Sequence, residues 1–210
     1  MIRYLYGDQL ARLPELHATM FRDRAALFSR RLGWPVTVDA EGFERDEFDA
    51  LNPLYVIWQN ELGQHGGSLR LLPTTGPTMA NSVFTSLSDR LPISSPLIWE
   101  VTRFCVSDRQ QGGIRISAAL MLAALELGRG FHLEHALGVF DARMLRLYRR
   151  LGWTPDVIGT QGQGAARLCV GLWDFNAAPI VSLQQRACVD AATATLWFRT
   201  AFNAVSKAQN

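Results

Sequence analysis

Residues 99–106 read Trp-Glu-Val-Thr-Arg-Phe-Cys-Val, a run of strand-forming residues that contains two charges. Apolar neighbours on both sides predict that this strand is buried inside a sheet. An isolated buried charge is so unfavourable that it is normally neutralised, paired or used on a ligand. We therefore expect Glu100 and Arg103 to have partners elsewhere in the chain.

Residues 100 and 103 point to opposite faces of a regular strand, because successive side chains alternate. Glu100 and Arg103 can therefore line one pocket only if a β-bulge lies between them. A close arginine would lower the pKa of Glu100, whereas burial would raise it, so the distance between the two groups decides how basic the carboxylate is.

Four ordered motifs around this strand resemble the acyl-homoserine lactone synthase family, the autoinducer synthases of bacterial quorum sensing. The match runs from about Arg24 to Trp153. The motifs are Arg24-x3-Phe28-x5-Trp34, Glu44-x-Asp46-Glu47-Phe48-Asp49, Leu69-Arg70-Leu71-Leu72-Pro73-Thr74-Thr75-Gly76-Pro77 and Glu100-x2-Arg103-Phe104.

The resemblance implies a reaction between two substrates. S-adenosylmethionine supplies the amine and later the lactone ring, and an acyl thioester on acyl carrier protein or coenzyme A supplies the acyl chain. Methylthioadenosine leaves when the ring closes. S-adenosylmethionine is a substrate in this scheme, so we expect no cofactor.

The resemblance also implies the site residues. A sulfonium is a soft cation suited to an aromatic face, carboxylates can hold the substrate ammonium, and an arginine can hold its carboxylate. Glu100 is the expected base that takes a proton from the amine, directly or through water. The expected S-adenosylmethionine site comprises Arg24, Phe28, Trp34, Asp46, Asp49, Arg103 and Phe104, and the expected catalytic set comprises Glu100, Asp46, Asp49 and Arg70.

Each assignment has a structural alternative. Phe28 and Trp34 could be ordinary core aromatics. Asp46 and Asp49 could form a solvated acidic turn, and Arg70 could be a strand charge that faces water.

The acyl chain is expected between the sheet and the helix that follows the central strand. Many family members that select 3-oxo chains carry a hydroxyl residue near position 140, where this chain has Phe140, so we expect unsubstituted chains to be preferred. The expected acyl pocket comprises Thr102, Leu120, Met121, Leu125 and Phe140.

Two features are expected to receive the thioester and its carrier. The loop Arg109-Gln110-Gln111-Gly112-Gly113 precedes a helix, whose free backbone amides can receive a phosphate or pantetheine group. It resembles, imperfectly, the glycine loop of coenzyme A-dependent acetyltransferases. Arg143, Arg146 and Arg150 recur on one helix face and could dock an acidic acyl carrier protein, although a solvated arginine face near a helix end is the alternative.

The order of elements predicts the fold class. The hairpin Leu54–Trp58 with Ser68–Leu72 is followed by the central strand and then by alternating helices and strands. This order matches an α/β fold, a three-layer α-β-α sandwich with a mixed sheet of the acyltransferase (GNAT)-like type. The remaining expected elements are helices at 14–32, 81–87, 114–129 and 141–151, an acidic turn-rich segment at 39–52, and strands at 98–106, 132–139 and 167–173.

Composition limits the domain count and the partners. A chain of 210 residues with 48% hydrophobic content can bury one good core, so we expect a single domain over residues 1–210, with an appended C-terminal helix at about 182–204. A net charge of +2 predicts no nucleic-acid partner. Three dispersed cysteines indicate neither a disulfide framework nor a metal site. The absence of a signal segment or a run of ~18 apolar residues predicts a cytoplasmic protein without a membrane partner.

Two other functions stay open at this level. A general amine N-acetyltransferase that uses acetyl-coenzyme A would share the sandwich and the glycine loop, but it gives no reason for the motifs at positions 24–49. A non-catalytic sensor of S-adenosylmethionine or acyl chains would bind its ligand without turnover.

Overall fold

The structure is a computed structural model that describes residues 1–82, 92–164 and 167–206, with side chains described as far as residue 202. A seven-stranded sheet with the order β1-β2-β3-β4-β5-β7-β6 runs through the molecule. Strands β4 and β5 pair in parallel, and the other neighbours pair antiparallel. The strands are β1 Ile2–Tyr6, β2 Leu54–Gln59, β3 His65–Pro73, β4 Ile98–Val106, β5 His135–Asp141, β6 Asp156–Gln161 and β7 Leu168–Asp174.

The helices cover both faces of this sheet. Along β2, Leu54 and Val56 pack into the cluster formed with α4, while Tyr55 and Ile57 pack into the cluster formed with α2. This alternation places one helical layer on each side and confirms the predicted three-layer sandwich. The helices are α1 Gly7–Leu10, α2 Pro14–Arg24, a π-helical continuation Ala25–Arg31, a 3-10 helix Glu47–Leu51, α3 Met79–Ser82, α4 Gly113–Gly130, α5 Met144–Leu151, α6 Ile180–Ala187 and α7 Ala191–Ser206.

Several predicted elements have different bounds in the structure. The predicted strand 132–139 begins only at His135, because His132 adopts a φ of 55° just after α4. The predicted helix at 141 begins at Met144, because Asp141 is the last residue of β5. The predicted C-terminal helix is two helices, interrupted at Cys188, which has a φ of 53°. Beyond Ser82, the predicted helix at 81–87 lies outside the described residues.

Both strands that the sequence analysis missed lie at the edges of the sheet. β1 pairs only with β2, and β6 pairs only with β7. Most β6 residues are exposed, so this strand has no alternation of apolar and polar residues by which it could be recognised.

The central strand contains the expected bulge. Ser68 pairs with Cys105 and Arg70 pairs with Thr102, so the strand β4 has one extra residue between these two pairs. Arg103 lies in this interval with a φ of 53°, a left-handed conformation that turns its side chain out of regular alternation. The bulge brings Arg103 to the same face as Arg70 and Thr102.

The sheet also opens beside this bulge. β4 and β5 pair only from Ile98 with His135 to Glu100 with Leu137. Beyond these pairs the two strands diverge, and a cavity lies between their carboxyl-terminal halves. The fold therefore creates a cleft next to the charged residues of the central strand.

Candidate active site

The cleft is a cavity of about 1570 Å³ that joins a polar end to an apolar end. Asp46 and Arg103 lie at the polar end beside Phe28 and Trp34. The apolar end is formed by both diverging strands and by the helices α4 and α5. Its lining residues include Val101, Phe104, Met121, Ala124, Ala136, Phe140, Leu147, Tyr148, Trp153, Trp173 and Phe175.

Arg24 belongs to a buried ionic network behind the polar wall. Its Nε donates to Glu44 Oε2 at 2.6 Å, and its two terminal nitrogens donate to the carboxylate of Asp49 at 2.9 and 2.8 Å. The side chain of Arg24 is 1% exposed. Arg24 is thus fully occupied by protein carboxylates and does not line the cavity where a substrate carboxylate would lie.

Arg70 and Arg103 complete the network from the sheet. Arg70 Nη2 donates to Asp46 Oδ2 at 2.9 Å, and Arg70 Nη1 donates to Asp49 Oδ1 at 2.9 Å. Arg103 donates from Nε to Glu44 Oε1 at 3.1 Å and lies 2.7 Å from Asp46 Oδ2. Three arginines and three carboxylates therefore neutralise one another in the interior.

The acidic turn that supplies this network is built locally. The side chain of Asp46 accepts the backbone amides of Phe48 and Asp49 at 3.0 and 3.2 Å, and Asp49 Oδ2 accepts the amide of Asp46 at 2.9 Å. This reciprocal cap starts the 3-10 helix. Burial alone would raise the pKa of Asp49, but Arg24 and Arg70 hold it well below its ordinary value.

The structure thus separates the expected polar residues into two groups. Asp46 and Arg103 line the cavity, whereas Arg24, Asp49 and Arg70 lie behind its wall. The side chains of Asp49 and Arg70 are 7% and 0% exposed, which excludes the alternatives of a solvated acidic turn and a strand arginine that faces water.

Sequence reasoning assigned no role to Glu44, although it lies in one of the motifs. Glu44 is completely buried and bridges Arg24 to Arg103. The sequence did contain a signal that could have identified Glu44, namely its place in the acidic cluster, two residues before Asp46. Because buried arginines need carboxylate partners, every carboxylate of this cluster was a candidate partner.

Glu100 has a different environment from the other carboxylates. Its Oε2 accepts the backbone amide of Met79 at 2.9 Å, and its Oε1 accepts that of Ala80 at 2.6 Å. Glu100 is 1% exposed, and burial raises its pKa despite these two amides and the nearby Arg70. Arg103 is bound by Glu44 and Asp46, so both residues of the central strand have their partners elsewhere in the chain, as expected.

The two aromatic residues at the polar end form a stacked pair. The rings of Phe28 and Trp34 lie 5.2 Å apart at an angle of 21°, and the guanidinium of Arg103 lies 5.4 Å from the Phe28 ring centre. Both aromatics line the cavity, as does Phe104. They therefore serve as wall and not only as core.

The acyl side of the cavity partly matches the expected residues. Thr102, Met121 and Phe140 line it, but Leu120 and Leu125 are completely buried in the core. Leu120 turns towards the sheet, where it packs close to Gly67. The face of α4 that lines the cavity is made of Gly113, Ile114, Ser117, Met121 and Ala124.

Phe140 belongs to an aromatic cluster in this apolar end. Its ring lies 5.3 Å from Tyr148 in an edge-to-face arrangement and 5.5 Å from Trp173. No hydroxyl stands at position 140, so a polar substituent of a chain needs another partner.

Of the residues expected to receive the thioester and carrier, Gly113 and Arg143 line the cavity. Gly112, with a φ of 76°, precedes α4, and Gly113 lines the cavity. Arg143 is 54% exposed and donates to Asp141 at 2.8 Å. Arg146 and Arg150 are exposed on α5.

Arg109 is held by a cluster that sequence reasoning missed. Arg109 Nη2 donates to both carboxylate oxygens of Asp23, at 3.0 Å to Oδ1 and 2.9 Å to Oδ2. His65 Nδ1 lies 2.7 Å from Asp23 Oδ2, and its Nε2 lies 3.0 Å from Ser68 Oγ. Burial lowers the pKa of His65, against the opposing effect of the Asp23 carboxylate. The cluster ties α2 and β3 to the loop before α4.

Among residues 1–82, 92–164 and 167–206, no three His, Cys, Asp or Glu side chains are grouped as a metal site would require. Within the same ranges, no helix has the length and apolar character needed to cross a membrane.

Comparison with known proteins gives a consistent result. A family model described as autoinducer synthase matches residues 9–174. An acyl-homoserine-lactone synthase from Rhizobium etli is 39% identical over 183 residues, which cover 84% of this chain and 85% of that protein.

Solved structures share the fold. The crystal structure of the AHL synthase LasI superposes with a TM-score of 0.76 at 26% identity, covering 88% of this chain and 94% of that one. The coenzyme A-dependent acyl-homoserine lactone synthase BjaI, solved with S-adenosylmethionine and isopentyl-coenzyme A, gives a TM-score of 0.79 at 23% identity, with coverage of 91% and 90%. An acyl-coenzyme A N-acyltransferase from Pseudomonas aeruginosa, at 15% identity and a TM-score of 0.54, covers 82% of this chain and 98% of its own, which supports the GNAT-like fold class.

Proposed function

The chain belongs to the autoinducer synthase family, and from this premise we propose that it is an acyl-homoserine lactone synthase that makes a quorum-sensing signal. It transfers an acyl chain from a thioester to the amine of S-adenosylmethionine, closes the lactone and releases methylthioadenosine. The observation that carries this proposal is the single cavity, which joins an end suited to a cationic amino acid to an apolar end suited to an acyl chain.

At the polar end, the sulfonium and ammonium of the substrate find complementary groups. The free face of Trp34 can receive the sulfonium, because Phe28 covers the other face of the ring. Glu44 and Asp46 are the network carboxylates that line the cavity, and Asp46, whose side chain is 13% exposed against 0% for Glu44, can hold the ammonium. Arg103 also lines the cavity, and its Nη1, which contacts Met79 Sδ at 3.4 Å and not a carboxylate, can bind the substrate carboxylate.

We assign the base role to Glu100. Glu44, Asp46 and Asp49 are each bound to two arginines, whereas Glu100 accepts only backbone amides, and burial raises its pKa. Because Glu100 is buried behind Met79, which lines the cavity, the proton reaches it through a water molecule.

In the acyl-transfer step the substrate ammonium loses one proton to Glu100, and the lone pair of the resulting amine attacks the thioester carbonyl. As the carbon–sulfur bond breaks, the nitrogen loses a second proton, which protonates the leaving thiolate. The product is an amide that still carries the sulfonium.

Lactone closure follows within the same cavity. A carboxylate oxygen of the acylated substrate attacks its own γ-carbon, and the bond from that carbon to sulfur breaks to release neutral methylthioadenosine. The protein contributes mainly by holding the chain folded, which converts the closure into a well-oriented intramolecular reaction. Arg103 and the Phe28–Trp34 pair are the groups placed to do this.

The acyl donor is an acyl thioester, for which two carriers are compatible. Gly113, the first residue of α4, lines the cavity, and the free helix amides at this end can receive a phosphate or pantetheine group common to both carriers. The exposed Arg143, Arg146 and Arg150 favour an acidic acyl carrier protein over free coenzyme A.

A general amine acetyltransferase fits less well. An acetyl group needs little room, while this cavity is larger than the ~300–1,000 Å³ of ordinary small-molecule pockets. The ionic network and the Phe28–Trp34 pair also have no use in transfer to a simple amine.

The test is product analysis with the intact chain. Incubation with S-adenosylmethionine and an octanoyl thioester of each carrier should release methylthioadenosine and octanoyl-homoserine lactone in equal amounts. Parallel reactions replace S-adenosylmethionine with a simple primary amine and the octanoyl thioester with acetyl-coenzyme A. Acetylation of the simple amine without methylthioadenosine would support the acetyltransferase, and S-adenosylmethionine binding without any product would support a sensor.

A further inference from the structure

Ser117 stands out among the residues of α4. The segment from Ile116 to Leu127 is otherwise almost wholly apolar and buried, and Ser117 is 4% exposed. A serine in a helix interior usually bonds a carbonyl one turn earlier. Within the described part of the chain, the hydroxyl of Ser117 has no hydrogen-bond partner.

The cavity is the place where this hydroxyl remains accessible. Ser117 lines the cavity, and every fully enclosed side-chain nitrogen and oxygen in the described ranges does have a partner. A hydroxyl without a hydrogen-bond partner in an apolar wall is unfavourable unless a ligand supplies the missing hydrogen bond. The hydroxyl is therefore available to a molecule in the cavity.

The position of Ser117 along α4 indicates which part of an acyl chain its hydroxyl contacts. Ser117 lies one helical turn, about 6 Å, inside the start of α4 at Gly113. Met121 and Ala124 follow deeper on the same face, and Phe175 forms the far wall against Gly128. A chain that enters with its thioester at the Gly112–Gly113 loop passes Ser117 with its first carbons and Ala124 with its tail.

We propose that Ser117 is a specificity residue that hydrogen-bonds an oxygen on the third carbon of the acyl chain. This inference rests on the proposed function. A neutral hydroxyl can donate to a 3-oxo group and can both donate to and accept from a 3-hydroxyl group. The preference for unsubstituted chains expected from Phe140 holds only if no other group receives this oxygen, and Ser117 is such a group.

The experiment measures relative kcat/KM for three matched thioesters in competition: octanoyl, 3-oxooctanoyl and 3-hydroxyoctanoyl, on the carrier that supports the higher rate. The wild-type protein should prefer at least one of the 3-oxygenated chains over octanoyl. In Ser117→Ala that ratio should fall about tenfold, the size of one hydrogen bond left unmade. If the preference for 3-oxooctanoyl over octanoyl falls more than the preference for 3-hydroxyoctanoyl, Ser117 binds the oxo form, and the reverse result assigns it the hydroxyl form.

Three variants keep the test specific. Ser182→Ala removes a serine from α6, outside the cavity, and should leave the ratio as in wild type. Ser117→Ala combined with Ala124→Ser moves the hydroxyl about 10 Å deeper, and it should not restore the preference. Tyr148→Phe removes the other hydroxyl of the cavity lining near Phe140 while keeping the ring.

The outcomes separate this inference from the proposed function. If no lactone forms from any thioester, the proposed function fails. If lactone forms but the ratio is the same in Ser117→Ala, falls only in Tyr148→Phe, or favours octanoyl in the wild-type protein, the assignment of Ser117 is overturned. Thermal unfolding of Ser117→Ala should match wild type, because the variant loses no protein hydrogen bond.

Discussion

Glu100 Oε1 accepts the backbone amide of Ala80 at 2.6 Å. The central strand thereby holds the start of α3, and the same carboxylate accepts the amide of Met79, which lines the cavity. A buried carboxylate held by amides alone, beside an ionic network that uses up the nearby arginines, combines a fixed position with a raised pKa. This combination is typical of a general base.

Replacing this carboxylate should abolish acyl transfer before it abolishes binding. We expect Glu100→Gln to retain measurable S-adenosylmethionine binding and to lose turnover by roughly 10²–10⁴-fold, the usual effect of a missing base. Calorimetry and methylthioadenosine release measure the two quantities. Glu134→Gln, at an exposed position, is the control, and near-normal turnover in folded Glu100→Gln would remove Glu100 from the base role.

The pH dependence of turnover should show the same group. The base acts only when ionised, so kcat/KM should fall as pH decreases through the pKa of Glu100, which burial places above its ordinary value of 4.5. This acidic limb should vanish from the residual activity of Glu100→Gln. An unchanged limb in that variant would assign the titration to another group.

Trp34→Ala should weaken S-adenosylmethionine binding by about 1–2 kcal/mol, because it removes the ring face available to the sulfonium. Trp34→Phe keeps an aromatic face and should recover part of the affinity. Calorimetric titration with S-adenosylmethionine measures both variants. Wild-type affinity in Trp34→Ala would show that the stacked pair with Phe28 only builds the wall.

Asp46→Asn should weaken the same binding and, unlike Trp34→Ala, should also destabilise the protein. Asp46 accepts hydrogen bonds from Arg70 and from two backbone amides and forms an ion pair with Arg103, so the asparagine deprives two arginines of one negative partner each. Denaturant unfolding and calorimetry separate the two effects. A stable variant with normal affinity would contradict both roles.

Glu44→Gln should be strongly destabilising although Glu44 lies outside the assigned catalytic set. Removing one member of a buried ion pair typically costs about 3–5 kcal/mol, and here the loss of Glu44 leaves three buried arginines with only two carboxylates. The matched control is the exposed Glu47→Gln in the same turn, which should unfold at nearly the wild-type denaturant concentration. Equal stability of the two variants would mean that the network reorganises around the loss.

His65 should make stability depend on pH. Its folded-state pKa lies below the ordinary 6.5, so the unfolded chain binds more protons in this window and the free energy of unfolding decreases as pH falls below about 6.5. Loss of the Asp23 interactions at still lower pH acts in the same direction. His65→Asn, which can still donate to Asp23, should show a shallower dependence than wild type.

The control for this titration is His132→Asn, an exposed position with a φ of 55° that asparagine tolerates. It should keep the wild-type slope of unfolding free energy against pH. A wild-type slope in His65→Asn as well would assign the dependence to other groups.

The arginine face of α5 should distinguish the two acyl donors. We expect Arg146→Glu and Arg150→Glu each to raise KM for an acylated carrier protein about tenfold, more at low salt, with little change for the matching coenzyme A thioester. Arg186→Glu, on the exposed surface of α6, is the control. Equal effects on both donors would argue against carrier docking at this face.

Local pattern was sufficient to predict much of the fold. Strand β4 was predicted with its observed bounds of 98 and 106, and the hairpin of β2 and β3 followed from two short apolar runs separated by glycines. The prediction of a β-bulge between Glu100 and Arg103 followed from two premises: side chains alternate along a regular strand, and both residues were expected to line one pocket. These features depend on residues that are close in the sequence, so the sequence alone is sufficient to predict them.

The pairing within the ionic network was decided only by tertiary structure. Arg24 and Glu44 are 20 positions apart, and Glu44 and Arg103 are 59 apart. The sequence shows that buried charges need partners, but any arginine can pair with any carboxylate of suitable reach. The choice depends on how α2, the acidic turn and the sheet are placed relative to one another.

The rotation of α4 was also beyond the sequence. A helix that is apolar on every side carries no polar face to orient it, so Leu120 and Leu125 were as plausible in the cavity as Met121. Close packing of Ile116 and Leu120 at Gly67 sets the rotation and turns Ser117 and Met121 towards the cavity. The sequence by itself determined the elements and the need for buried charge pairs, whereas packing between distant elements determined which side chains meet a substrate.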